Sequence, residues 1–279
     1  MIALAQESRR RARVAEVTNR ELARENAKRT EAEAEVRILN SELEQRVRER
    51  TIALERANAD LQQLAYVSAH DLQEPVRMVS TYTQLLARRY QGKLEAEADH
   101  FIGYALEGAS RIHMLLTDLL AYLQLDQSEA ERRDTPCEEI LENALGGLQS
   151  AITAANACVT HDPLPTVRGD ARQLTLVFRN LLENALLFRL SAPPRVHVWA
   201  ERRDNDWVFA VRDNGIGIEP QYAQQIFLMF ERLHSQAEYP GTGMGLTLCQ
   251  KIIERHGGKI WVESQVGQGA TFYFTVPRV

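Results

Sequence analysis

Three short clusters of residues have the types and spacings that chemistry on a nucleotide requires. Asp213-Asn214-Gly215-Ile216-Gly217-Ile218 follows an alternating, strand-like run. One carboxylate at a strand end, followed by two glycines that let a flat ligand approach the backbone, suits recognition of an exocyclic amine such as N6 of adenine. Gly241-Thr242-Gly243-Met244-Gly245-Leu246 leads into a helical run that ends near His256. Alternate glycines before a helix N-terminus leave amide donors free for phosphate oxygens, although the Gly-Lys-Ser/Thr ending of a Walker loop is missing. In Arg179-Asn180-Leu181-Leu182-Glu183-Asn184-Ala185 the two asparagines stand one helical turn apart. Their amide oxygens are hard ligands suited to magnesium bridging nucleotide phosphates. Each cluster alone is equally compatible with a turn, a flexible loop or a solvated helix face. Their order within one α/β region is the stronger signal.

The elements that must position these clusters follow from the hydrophobic pattern. Residues 1 to about 65 lack Gly and Pro and are dense in Arg, Glu and Ala, the composition of a long exposed helix. Val36, Leu39, Leu43, Val47, Leu54, Ala57, Leu61 and Leu64 mark a heptad-like seam, with Arg50 where an apolar residue is due. The successive four-residue steps 39 to 43 to 47 shift the frame as a four-residue insertion does, so two registers can share one helix. Residues 1–35, where the seam is weak, read as a solvated spacer. The helical pattern continues past Pro75, where a kink is expected, to a polar break at Gln91–Asp99. A second helix carries Phe101, Ala105, Ala109, Ile112, Leu116, Leu119 and Leu123. The resulting antiparallel hairpin buries one stripe per helix, and pairing with its own copy gives a dimeric four-helix bundle.

After the polar stretch Asp126–Asp134, a helix starts at Thr135-Pro136 with Glu138 and Glu139 in its first turn. Gly169-Asp170 caps another, from Ala171 to about Arg189. Strands are expected at Arg195–Glu201, Asp206–Arg212, Lys259–Ser264 and Ala270–Val276, forming a mixed sheet covered on one face by helices. The expected domains are therefore 1–60, a coiled-coil signalling helix; 61–126, the dimerising hairpin; and 135–279, an α/β sandwich.

Composition narrows the alternatives. In 279 residues, 44% hydrophobic and 25% charged is the balance of a globular protein of about two domains. Thirty-three basic against 38 acidic residues, net −5, supplies no pull towards nucleic acid, so no nucleic-acid partner is expected. No apolar run approaches the ~18 residues of a membrane span, and the N-terminus has no secretory pattern, which makes the cytoplasm the expected location. Cys137, Cys158 and Cys249 lack any paired spacing and read as small hydrophobes rather than metal or disulfide partners.

From Leu61 to Val279 the chain resembles the sensor histidine kinases of bacterial two-component systems, whose catalytic domain is of the gyrase, Hsp-ninety and MutL ATP-binding class. Phe178–Ala185 resembles the N box of that family, Asp213–Gly217 its first glycine box, Ile226-Phe227-Leu228-Met229-Phe230 its F box and Gly241–Gly245 its second glycine box. Gln268-Gly269-Ala270-Thr271-Phe272 is similar to its closing strand motif. Ser68-Ala69-His70-Asp71-Leu72-Gln73-Glu74-Pro75 is similar to the H box of phytochrome-like members. The resemblance implies that His70 is the phosphoacceptor and that Asp71 orients or deprotonates its ring. It also implies that Asn180, Asn184, Asp213, Gly215, Gly217, Gly241, Gly243, Gly245 and Thr271 bind ATP, with Asn184 on Mg2+. A neutral imidazole offers the lone pair that in-line attack on a γ-phosphoryl group needs. Asn180 stands where related hydrolases carry a water-activating Glu, which favours transfer to a protein nucleophile. The implied partners are a second copy of the chain, a response regulator receiver domain in trans, and an upstream sensor acting through the N-terminal coil.

Two positions depart from the family pattern. Leu187 stands where a Lys or His often meets the phosphates, with Arg189, Arg232 or Lys251 left to compensate. Glu74 replaces the Thr or Asn that many relatives use to dephosphorylate the partner. The expected function is an autokinase acting on His70. The rivals are an ATP-binding scaffold that docks partners without transfer and an ATP-driven clamp that hydrolyses independently of His70.

Overall fold

The computed structural model describes residues 2–90, 92–127, 131–234, 238–239 and 241–278. Gln91 and residues 128–130, within the two expected polar breaks, lie outside the described residues, as do most side chains of the 1–35 spacer. The chain packs as two units, one reaching Leu64 and the other beginning at Ala65.

Helix α1 spans Ile2–Tyr90 and belongs to both units. In the first unit the seam residues Val36, Leu39, Leu43, Val47, Leu54, Leu61 and Leu64 are all more than half exposed. The helix runs on through Pro75, whose missing N–H withholds the usual helical donor from the Asp71 carbonyl. Helix α2, Ala96–Gln127, begins five residues before Phe101, so the expected break at Gln91–Asp99 is confined to a tight turn. There the Asp99 carboxylate accepts from Gly92 N at 3.0 Å. In the second unit α1 and α2 pack through a cluster of Ala69, Leu116 and Leu120, flanked by Tyr66, Val76 and Leu119.

The α/β layer contains β1 (Arg133–Pro136), α3 (Cys137–Ala154), β2 (Cys158–His161), β3 (Thr166–Gly169) and α4 (Ala171–Leu187), followed by β4 (Arg195–Arg203), β5 (Asp206–Arg212), α5 (Gly245–Arg255), β6 (Ile260–Gln265) and β7 (Gly269–Pro277). Strands β1 and β3 form a small antiparallel pair; the main sheet runs β2-β4-β5-β7-β6, parallel only between β2 and β4. The four later strands match expectation closely. The three early ones, four residues each, are too short to show a period of two and were not anticipated.

Helices α3, α4 and α5 cover one face of the sheet, and strand alternation turns Phe209, Val211, Phe272 and Phe274 into their shared core. Phe178 of α4 meets Phe209 and Phe274 edge-on at 6.0 and 5.4 Å, while those two stack at 4.9 Å. Asp170 caps α4 by accepting from Arg172 N and Gln173 N at 2.9 and 3.2 Å.

His256, 4% exposed, ties the end of α5 to the start of α4. Its Nε2 accepts from Asp170 N at 3.0 Å and its Nδ1 meets the Ile252 carbonyl at 2.8 Å, an arrangement that needs the neutral ring with its proton on Nδ1. Burial accordingly pushes its pKa below the ordinary 6.5. As pH falls through that value the unfolded ring takes up a proton that the folded ring resists, so stability is lost on the acid side. Urea midpoints at several pH values are expected to fall more steeply below pH 6.5 for wild type than for His256→Gln; equal slopes would contradict this.

Candidate active site

The site is built where β5 ends and α5 begins. Asp213 immediately follows β5, and its backbone N–H donates to the Ala270 carbonyl at 2.9 Å. Its Oδ1 accepts from Gly215 N at 2.7 Å and from Ala270 N at 3.1 Å. One carboxylate oxygen is thus held by backbone, and among the described residues the other has no hydrogen-bond donor. Burial pushes the Asp213 pKa up, while the two backbone donors pull it back.

Close backbone approach explains two glycines. A Cβ at Gly217 would lie 2.2 Å from the Gln265 carbonyl oxygen and one at Gly269 would lie 2.1 Å from that of Asp213; both residues have positive φ, 73° and 88°. Asn214 plays a different part. Its amide accepts from Arg195 N at 2.7 Å and donates to the Pro193 carbonyl at 3.1 Å, fastening the start of β4.

A cavity of about 450 Å³ opens beside these residues. Asn180, Asn184, Asp213, Gly217, Gly241, Gly243 and Gly245 all line it. Asn180 anchors its Nδ2 on the Leu176 carbonyl at 2.9 Å, and its Oδ1 faces Gly245, where any Cβ would come within 2.9 Å. The first turn of α5 can therefore lie against α4, with its N-terminus turned to the cavity, where an anion is favoured. Gly215 sits just behind the cavity, its N–H on Asp213 and its Cα under the Phe188 carbonyl.

Thr271 departs from expectation. Alternation along β7 sends Ala270 and Phe272 into the cavity wall and leaves Thr271 paired between Arg212 and Glu263, outside the lining.

The cavity wall also contains residues that the motifs did not identify as binding groups: Asp118 of α2, Glu183 and Arg179 of α4, Arg232, and Thr242. Burial pushes the Glu183 pKa up; Arg179, 3.6 Å away, opposes this and Asp118 adds to it. Of the three cations left to offset Leu187, Arg232 lines the cavity and holds the Tyr239 carbonyl at 2.5 Å. Lys251 instead lies 3.8 Å over the Tyr122 ring, and Arg189 lines an adjoining hollow. Among the described residues, no group of three or more His, Cys, Asp or Glu could hold a metal ion.

His70 and Asp71 lie on the hairpin and do not line the cavity. They are 66% and 73% exposed, with His70 Nδ1 3.3 Å from Asp71 Oδ1. Adjacent helical residues do not share a face, and this contact is made through the side-chain rotamers. Glu74 is engaged by Arg77, whose Nη2 donates at 2.7 Å, and the guanidinium lowers the Glu74 pKa.

Residues 169–279 match the family described as histidine kinase-, DNA gyrase B-, and HSP90-like ATPases. The α/β layer is thus an ATP-binding domain of that class. Cyanobacterial phytochrome A of Nostoc sp. is 52% identical over 80% of this chain and 29% of its own length. A phytochrome-like protein of Synechocystis sp. is 46% identical over 80% of this chain and 30% of its own. The chain therefore spans under a third of these relatives. Full-length ShkA, solved in complex with AMPPNP, shares the fold with a TM-score of 0.60 at 24% identity, over 77% of this chain and 45% of that one. Over the stretch it shares with these proteins the chain is similar to sensor histidine kinases, in line with its motifs. No helix among the described residues is long and apolar enough to cross a membrane.

Proposed function

We propose that this chain is the kinase portion of a two-component sensor, using Mg-ATP to phosphorylate His70 and passing the phosphoryl group to an aspartate of a response regulator. The observation that carries the reading is the joint lining of one cavity by the ligand-facing carboxylate of Asp213, the amide of Asn184 and the N-terminus of α5. Adenine N6 would donate to Asp213, and the phosphates would meet the loop amides and Arg232. Asn184 would hold Mg2+, whose charge offsets that developing on the transferred group. Asp71 beside Nδ1 favours the tautomer with its proton there, leaving the Nε2 lone pair to attack the γ-phosphorus. The N–P bond forms as the bond to the β,γ-bridging oxygen breaks, and ADP departs.

The remaining roles follow from the exposed surfaces. Leu72, Val79, Tyr82, Leu86 and Ile112 leave an apolar hairpin surface that a second copy would cover, giving a homodimeric four-helix bundle. The exposed seam of residues 36–64 would pair as a coiled coil carrying input from an upstream sensor. The domain division proposed is 1–60, 61–126 and 135–279. A structural neighbour at 20% identity and a TM-score of 0.53, histidine kinase ThkA, was solved in complex with the response regulator protein TrrA. That precedent supports a receiver domain acting in trans on this chain. The position of Arg232 in the cavity favours transfer over the scaffold alternative, which rests on Leu187.

Incubation with γ-labelled ATP and Mg2+ is expected to label wild type, and label is expected to pass to a cognate receiver domain. Asn184→Ala is expected to label at least about 100-fold more slowly, the scale for losing a metal-held phosphate. Equal labelling by the variant would overturn the assignment of Asn184, and steady phosphate release without protein-bound label would favour the clamp.

A further inference from the structure

One stripe of α2, Met114, Asp118, Tyr122 and Leu125, faces the α/β layer at steps of four, four and three residues. Each member is engaged. Met114 and Asp118 line the nucleotide cavity, Lys251 of α5 lies over the Tyr122 ring at 3.8 Å, and Leu125 is buried in the α/β core. The other stripe, Leu116 and Leu120, packs on Ala69, beside His70.

Thr242 Oγ1 donates to Asp118 Oδ2 at 2.5 Å and accepts from Met244 N, the residue capping α5, at 3.3 Å. A carboxylate from the hairpin thus reaches the second glycine-rich loop, the segment that would otherwise meet phosphate oxygens. Glu183 lies in the same wall, so two carboxylates face the end of the cavity where an anionic nucleotide needs cations. In this arrangement the chain's own His70 is outside the cavity, and phosphoryl transfer to it requires the α/β layer to move relative to the hairpin.

We propose that Asp118 and Thr242 form an autoinhibitory latch, in which the Asp118 carboxylate occupies the phosphate-binding loop and a nucleotide triphosphate opens the latch by displacing it. The inference rests on the nucleotide reading of the cavity and adds to it a coupling between occupancy and release of the hairpin. Linkage makes the effect reciprocal: a weaker latch binds nucleotide more tightly, and bound nucleotide loosens the latch.

The test uses the full chain, an ATP analogue with Mg2+, and two substitutions. Asp118→Asn removes the competing charge at little cost in shape. Tyr122→Leu loosens the same docking stripe from outside the cavity. Both are expected to tighten analogue binding by roughly 5- to 50-fold, the ordinary range of such coupling. Saturating analogue is expected to raise amide exchange over residues 114–125 in wild type. Unchanged affinity in Asp118→Asn would overturn the latch, and weaker affinity would make Asp118 a ligand of the bound complex instead. Tightening by Asp118→Asn alone, with unaltered exchange, would reduce the effect to simple charge repulsion and also overturn it. If wild type and both variants bind no nucleotide, the reading of the cavity fails and the latch falls with it.

Discussion

Asp213→Asn is expected to weaken ATP binding by on the order of 100-fold or more without unfolding the chain. The carboxylate uses Oδ1 for the backbone N–H groups of Gly215 and Ala270. An asparagine can keep those two bonds with its single carbonyl oxygen. Its NH2 group then points where the second carboxylate oxygen stood, and a donor meets the donor N6 of adenine. The substitution preserves volume and local packing while reversing the polarity of the group proposed to read the base. Equilibrium titration with an ATP analogue, with thermal unfolding as control, checks this: lost affinity with a near-normal melting temperature is the expected pair of results.

His70→Gln is expected to abolish phosphoryl transfer entirely while leaving nucleotide affinity unchanged. The side chain is two-thirds exposed and touches Asp71 rather than the cavity, so neither the hairpin core nor the nucleotide site depends on it. The buried neighbour that does hold the hairpin together is Ala69, against Leu116 and Leu120. Glutamine retains polarity and helix propensity and lacks the nucleophilic ring nitrogen. A clamp that hydrolyses ATP would be indifferent to this change, whereas an autokinase would lose all protein-bound phosphate. Radiolabelling measured beside analogue binding separates the two.

Much of this architecture was legible in the sequence because its signals are local. The cap at Asp170, the helix that starts just after Pro136, the alternation of β4, β5, β6 and β7, and the carboxylate-glycine turn at Asp213 each depend on a few consecutive residues. The elements that escaped notice are of two kinds. Strands β1, β2 and β3 are each four residues long, too few to establish a period and dependent on partners far along the chain. The contact between Asp118 and Thr242 joins residues 124 apart, and nothing around Asp118 distinguishes it from any other helical acid. Thr271 shows the opposite effect. The closing motif marked the right strand, yet alternation placed Ala270 and Phe272, rather than Thr271, at the cavity. The choice among Arg189, Arg232 and Lys251 is likewise tertiary, since it depends on which guanidinium or ammonium group the folded chain turns towards the cavity.

The most direct test is to incubate the chain with γ-labelled ATP and Mg2+, digest it, and locate the label. The account predicts one labelled peptide containing residue 70, its phosphate labile in acid and stable in base, as a phosphoramidate should be. Label on any other residue, or none on this peptide while analogue binding shows the cavity filled, would contradict it.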